Sequence, residues 1–138
     1  MEISLEDFVS TLDFEQYNYY YHETESGVGI DIMVSGLLIE GTNIIDTDNI
    51  LFTTTLPFTI DEASDIENFV ESERSVSSAR RVCEMVILEV EKGREKEIVE
   101  PSGIYGYEGR VSSRYIKGYI DMDRCTFIAN VYTDYYDR

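Results

Sequence analysis

Seventy-three residues pass before the first Lys or Arg, Arg74, and seventeen Asp and Glu residues lie among them. A carboxylate withdrawn from water without a cation costs several kcal/mol, on the order of its desolvation penalty. A fold built from this half must therefore gather most of its acids on an accessible surface. Residues 74–138 hold 11 acidic and 11 basic groups, so the whole formal net charge of −17 belongs to the first half. Solubility alone asks for a net charge of magnitude about 2–8 in a small domain. Self-repulsion beyond that destabilises a compact state while steering the molecule toward cationic surfaces.

The rest of the composition is that of one globular domain. A chain of 138 residues supports a single core and is short for two. Its 43% hydrophobic and 28% charged residues exclude a disordered chain. Cys83 and Cys125 are too few for a disulfide framework and are expected to be reduced and buried. The opening Met1-Glu2-Ile3-Ser4-Leu5 lacks the basic and apolar stretches of a secretory signal. The longest apolar runs, such as Met85 to Leu88, fall far below the ~20 residues of a membrane span. A cytoplasmic location is expected.

Hydrophobic spacing predicts an α+β domain, 1–138, with a mainly antiparallel sheet, two to three helices and the order α-β-β-β-α-α-β-β. Ser4 is placed to cap a first helix reaching about Asp13, with Leu5, Phe8, Val9 and Leu12 on one stripe. Gln16 to His22 reads as a strand, with Tyr19 and Tyr21 on one face and Tyr20 on the other. After a Ser26-Gly27 turn, Val28, Ile30, Ile32 and Val34 alternate as in a second strand, and Ile50 to Leu56 reads as a third. Thr59 or Asp61 can cap a helix whose inner face is Ala63, Ile66, Phe69 and Val70. Ser75 to Lys92 fits a helix stopped by Gly93. The competing reading makes Met85 to Val90 a buried strand that turns through Lys92-Gly93-Arg94 toward Ile98-Val99. A C-terminal hairpin places Ile116, Gly118, Ile120 and Met122 on one face, followed by Cys125, Phe127, Ala129 and Val131.

No motif specifies a reaction, so no catalytic residue is assigned. His22 is the lone histidine and reads as a hydrogen-bonded strand residue. Asp46-Thr47-Asp48-Asn49 and Asp121-Met122-Asp123 open like calcium loops, but Ile50 and Cys125 occupy the next ligand position. Both read as turns, and no metal or cofactor is expected. Gly27-Val28-Gly29 lacks the third glycine of a dinucleotide fingerprint. The glycine-dense run Gly103 to Gly109 has Glu108 where a nucleic-acid clamp wants cations, and reads as a loop. Eleven tyrosines suit half-buried sheet positions first, and the alternative reading has Tyr19 and Tyr21 present a protein-binding face.

The helix after Pro57 concentrates charge. Asp61, Glu62, Asp65, Glu67, Glu71 and Glu73 leave its apolar stripe free, and Glu40, Asp46 and Asp48 precede it. Acids three or four residues apart on a helix stand ~5–6 Å from each other. DNA carries a charge every ~3.4 Å along each strand, so a rigid acidic ridge is a coarse copy of a phosphate track. Such a ridge repels nucleic acid and membranes of like charge, and suits a basic protein that binds nucleic acid. Small acidic domains of this kind resemble the DNA-mimic inhibitors that mobile elements such as phages direct against host defence nucleases, anti-restriction and anti-CRISPR proteins among them. The resemblance lies in charge and in an opening of helix, three strands and helices over about the first two-thirds of the chain. It implies a non-enzymatic inhibitor occupying a basic nucleic-acid-binding surface. Two other readings fit the same charge: an immunity protein neutralising a cationic nuclease toxin, and a structural or adaptor protein whose acidity serves solubility.

Overall fold

The computed structural model describes residues 2–39, 58–60, 62–74, 83–94, 99–102 and 108–131, with the backbone alone at 37–39, 58–59, 73–74, 99–102 and 108–110. Its main sheet has six strands: β1 (Glu2–Ser4), β2 (Tyr17–Thr24), β4 (Phe58–Ile60), β5 (Glu84–Glu91), β8 (Ile116–Asp121) and β9 (Thr126–Ala129). They lie in the order β1-β9-β8-β5-β2-β4, and every neighbouring pair is antiparallel. A second antiparallel sheet joins β3 (Leu37–Ile39), β7 (Glu108–Val111) and β6 (Val99–Ser102) in the order β3-β7-β6. Among the described residues, three α-helices, α1 (Leu5–Ser10), α2 (Val28–Ser35) and α3 (Ala63–Arg74), complete an α+β fold.

The helices divide between the faces of the main sheet. On one face, Phe8 of α1 and Ile66 and Val70 of α3 pack with Tyr19, Met85, Ile87, Ile120, Met122 and Phe127. On the other, Ile32 and Met33 of α2 pack with Tyr20, Val86, Leu88, Val90 and Ile116. Val111 joins this second cluster and ties the smaller sheet to it. The alternation expected for Tyr19, Tyr20 and Tyr21 follows from this two-sided burial.

Helix α1 starts as its sequence indicates and ends at Ser10, short of the expected Asp13. The Ser4 side chain accepts from the Asp7 N–H at 3.1 Å, an N-cap bond, and the single buried residue of the helix is Phe8. Helix α3 also keeps its expected apolar stripe, with Ile66 and Val70 buried and Ala63 and Phe69 half-buried. The β8–β9 hairpin closes where expected, with Asp121 Oδ1 accepting from the N–H groups of Asp123 (3.0 Å) and Arg124 (3.2 Å). These are turn bonds, which accounts for the Asp121-Met122-Asp123 sequence without a metal. The strand expected at Ile50 to Leu56 and the turn at Asp46 to Asn49 lie outside the described residues, as do 103–107 of the glycine-dense run.

Three expectations are corrected. Val28 to Ser35 is a helix, not a strand. Its alternating apolar residues also contain i, i+4 pairs, so Val28 and Ile32 share a helical face with Gly29 and Met33 beside it. The deciding group comes from β5. Both oxygens of buried Glu84 accept from the start of α2, Oε1 from the Gly29 N–H at 2.7 Å and Oε2 from the Gly27 N–H at 3.1 Å. Gly27 is left-handed at φ +88, which opens the helix without a side-chain cap of its own. A carboxylate at this helix end satisfies donors that the first turn leaves without partners and lies favourably in the helix dipole. Since β2 is followed by this helix, the opening of helix and three strands is absent. The resemblance in element order lapses with it.

The second correction concerns Ser75 to Lys92. Residues 84–91 form the central strand β5, and 75–82 lie outside the described residues. Strands β2 and β8 flank β5, helices cover both faces, and Glu84 to Val90 are all buried. A strand apolar on both faces reads as a continuous run, which a helix of similar composition imitates. The turn at Lys92-Gly93-Arg94 does occur, with the Arg94 N–H donating to the Glu91 carbonyl at 3.1 Å. The third correction is a bulge in β8. Ile87 pairs with Gly118 but Leu88 pairs with Ile116, so Lys117 is an extra residue. The bulge turns Ile116 to the α2 face, while Ile120 and Met122 face α1 and α3.

The Glu84 cap yields a measurable expectation. Glu84→Ala leaves the buried Gly29 N–H without an acceptor, a loss of about 2 kcal/mol or more. Glu84→Gln, which keeps one acceptor oxygen, costs less. Urea unfolding of the two variants checks the order.

Candidate functional site

Helices α1 and α3 lie side by side on one face of the sheet, buried sides inward, so their remaining side chains form that face's outer surface. Glu6 and Asp7 on α1, and Asp65, Glu67 and Glu71 on α3, are exposed there, with Glu62 just before α3 and Asp13 and Glu15 after α1. Asp65 Oδ2 accepts from the Glu62 N–H at 3.0 Å and stabilises the first turn of α3. Glu6, Asp7, Glu62, Glu67 and Glu71 have no ion-pair partner among the described residues. Three of the described cations are in ion pairs: Lys117 with Glu89 at 2.9 Å, Arg94 with Glu91 at 3.6 Å and Arg124 with Glu2 at 3.3 Å. Of the acids expected to form the surface, Glu62, Asp65, Glu67 and Glu71 stand exposed on it. Glu73 lies in α3 with its backbone alone described, and Glu40, Asp46, Asp48 and Asp61 fall outside the described residues.

The two expected aromatic contacts do not stand free on this surface. Tyr19 is fully buried, which removes it from any partner-binding face. Its hydroxyl donates to Glu89 Oε2 at 2.8 Å and accepts from the Asp13 N–H at 3.1 Å. Burial first, and then the Glu89 carboxylate, push the phenol well above its ordinary value. Tyr21 is half-buried, its ring 5.0 Å from that of Phe69 on α3. Both tyrosines serve the core beneath the acidic helices, because these helices cover the face to which alternation directs them.

Two buried carboxylates escaped sequence reasoning. Glu84 and Glu89 both lie in β5 and point to opposite faces of the sheet, Glu84 toward α2 and Glu89 toward Tyr19 and Lys117. Their signal was present in the sequence as acids embedded in the run Glu84-Met85-Val86-Ile87-Leu88-Glu89-Val90. The acids of the α1–α3 surface thus come from the first half, and the two buried ones from the balanced second half.

The groups that could carry chemistry are dispersed. His22 is half-buried on β2, and burial holds its imidazole below the ordinary value. Among the described residues, no three His, Cys, Asp or Glu side chains gather as metal ligands, and no helix is long and apolar enough to cross a membrane. A groove of about 290 Å³ opens on the acidic face, lined by Leu5, Glu67, Val70, Glu71 and Cys125. No family model, curated protein or solved structure matches the chain.

Proposed function

We propose that this protein is a non-catalytic acidic inhibitor that occupies the basic nucleic-acid-binding surface of a nuclease, in the manner of DNA-mimic proteins directed against host defence enzymes. The observation that carries the reading is the outer surface of α1 and α3, where Glu6, Asp7, Glu62, Glu67 and Glu71 stand exposed without ion-pair partners among the described residues. The helices that bear these groups are anchored through Phe8, Ile66 and Val70, so the charges are presented on a packed scaffold. A preorganised row of carboxylates binds cations with less loss of side-chain freedom than a disordered acidic tail. A nuclease would meet the row with the Arg and Lys residues it uses for phosphates, at an encounter rate raised by long-range attraction.

The test is competition. An RNA-guided DNA nuclease and a type I restriction enzyme are each mixed with labelled duplex DNA, and the chain is titrated in. Release of DNA is expected from a susceptible enzyme. The inhibitor's apparent affinity should fall about tenfold or more between roughly 50 and 200 mM salt, because ion-pair contacts are screened as phosphate contacts are. The triple variant Glu62→Gln, Glu67→Gln, Glu71→Gln should displace DNA less well at every salt concentration. Retention of DNA by a broad panel of such enzymes, at low salt and with the chain in excess, counts against the proposal.

A further inference from the structure

The groove on the acidic face differs from the rest of that surface in being partly apolar. Val70 is buried in the core and forms its floor, Leu5 and Cys125 supply half-buried walls, and Glu67 and Glu71 rise from one side of α3. These two acids are i, i+4 neighbours, a spacing of ~5–6 Å. Neither has an ion-pair partner among the described residues. The walls are fastened to one another: the Leu5 N–H donates to the Cys125 carbonyl at 3.0 Å, joining the start of α1 to the β8–β9 turn. Cys125 holds a left-handed backbone at φ +52, which fixes the turn beside the groove.

We infer that this groove receives an arginine side chain of the basic partner, with the guanidinium between Glu67 and Glu71 and the aliphatic stem along Leu5 and Val70. The inference rests on the acidic-inhibitor reading and names one subsite of it. The volume of about 290 Å³ lies at the bottom of the range for small-molecule pockets, ~300–1,000 Å³, and suits one long side chain better than a nucleotide or cofactor. An apolar floor beneath two carboxylates matches an occupant that is apolar along its stem and cationic at its tip. Arginine fits such a pair better than lysine, because its planar fork reaches two carboxylates at once and is less strongly hydrated than an ammonium.

Cys125 provides a reporter inside the groove and Cys83 a control elsewhere. The chain is incubated with hexa-arginine at about 50 mM salt, a concentration that leaves surface charge incompletely screened. Binding is followed by fluorescence anisotropy of the labelled peptide. Alkylation of each cysteine by neutral iodoacetamide is followed by mass spectrometry. Saturating hexa-arginine is expected to slow alkylation of Cys125 about fivefold or more, leave Cys83 unchanged, and lose its protection of Cys125 in the variant Glu67→Gln, Glu71→Gln. Hexa-lysine of equal charge should protect less. If hexa-arginine binds while Cys125 reacts at its unprotected rate, or the double variant is protected equally well, the groove is not the subsite and the acidic-surface reading stands. Absence of hexa-arginine binding at low salt overturns both. Circular dichroism confirms that the double variant, altered only at exposed positions, is folded.

Discussion

Gly118→Ala is expected to destabilise the protein by about 3 kcal/mol or more. A Cβ at this position would meet the Ile128 backbone carbonyl and the Phe127 ring. Neither can yield easily. Ile128 is held in the β8–β9 ladder opposite Tyr119, and the Phe127 ring stacks on Phe8 with centroids 3.9 Å apart. Overpacking a tight core costs roughly 1–3 kcal/mol. Gly118 also has φ +156, where an L-residue is strained by on the order of 1–3 kcal/mol. The two costs act on the same residue and together set the expected loss. Equilibrium unfolding in urea measures the sum, and a loss below 1 kcal/mol would show that the hairpin relaxes around the new methyl group.

The neighbouring residue carries the second large effect. Lys117→Met is expected to cost about 3 kcal/mol, because it removes the ammonium that lies 2.9 Å from the buried Glu89 carboxylate. Glu89 keeps only 6% of its side-chain surface exposed and Lys117 17%, so water screens the pair little but not negligibly. That partial access sets the estimate at the lower end of the ~3–5 kcal/mol range for breaking a buried pair. Removing the charge as well should recover part of the loss, so Lys117→Met with Glu89→Gln should be more stable than Lys117→Met alone. Urea unfolding of both variants checks the order, and a double variant no more stable than Lys117→Met alone would show that the charge of Glu89 is not the origin of the loss.

Both effects arise at the bulge in β8, a feature the alternation of Ile116, Gly118, Ile120 and Met122 conceals. The pattern places all four on one face, whereas the extra residue sends Ile116 to the α2 side. Sequence spacing counts residues and assumes one side chain per step of the ladder, so it misassigns every residue beyond an insertion. Buried Asn130 supports the irregular stretch in a way spacing cannot show. Its side-chain amide donates to the carbonyls of Ser113 (3.2 Å) and Ile116 (2.8 Å), and its own N–H to that of Lys117 (2.9 Å). Helix α2 was concealed for a related reason. Its eight residues satisfy both periods, and the cap that selects the helix belongs to Glu84, more than fifty residues downstream.

The acidic surface was legible where local physics suffices. The apolar stripe of α3 dictates which side turns inward, and Asp65, Glu67 and Glu71 on its other side face water. Tyr19 is buried rather than a contact residue, because alternation reveals the face it shares with Tyr21 but not what covers that face.

The order of amino acids by itself determined the α+β class, the capped start of α1, the inward stripe of α3, the C-terminal hairpin and the segregation of charge into the first half. Each depends on neighbours within a few residues or on a count of charges. Only the tertiary structure decided that 28–35 coils, that 84–91 is the central strand, that Ile116 changes face, and that two glutamates are buried with partners. Those outcomes depend on groups brought together from distant parts of the chain, whose hydrogen bonds and packing outweigh local preferences of a few tenths of a kcal/mol, on the order of propensity differences.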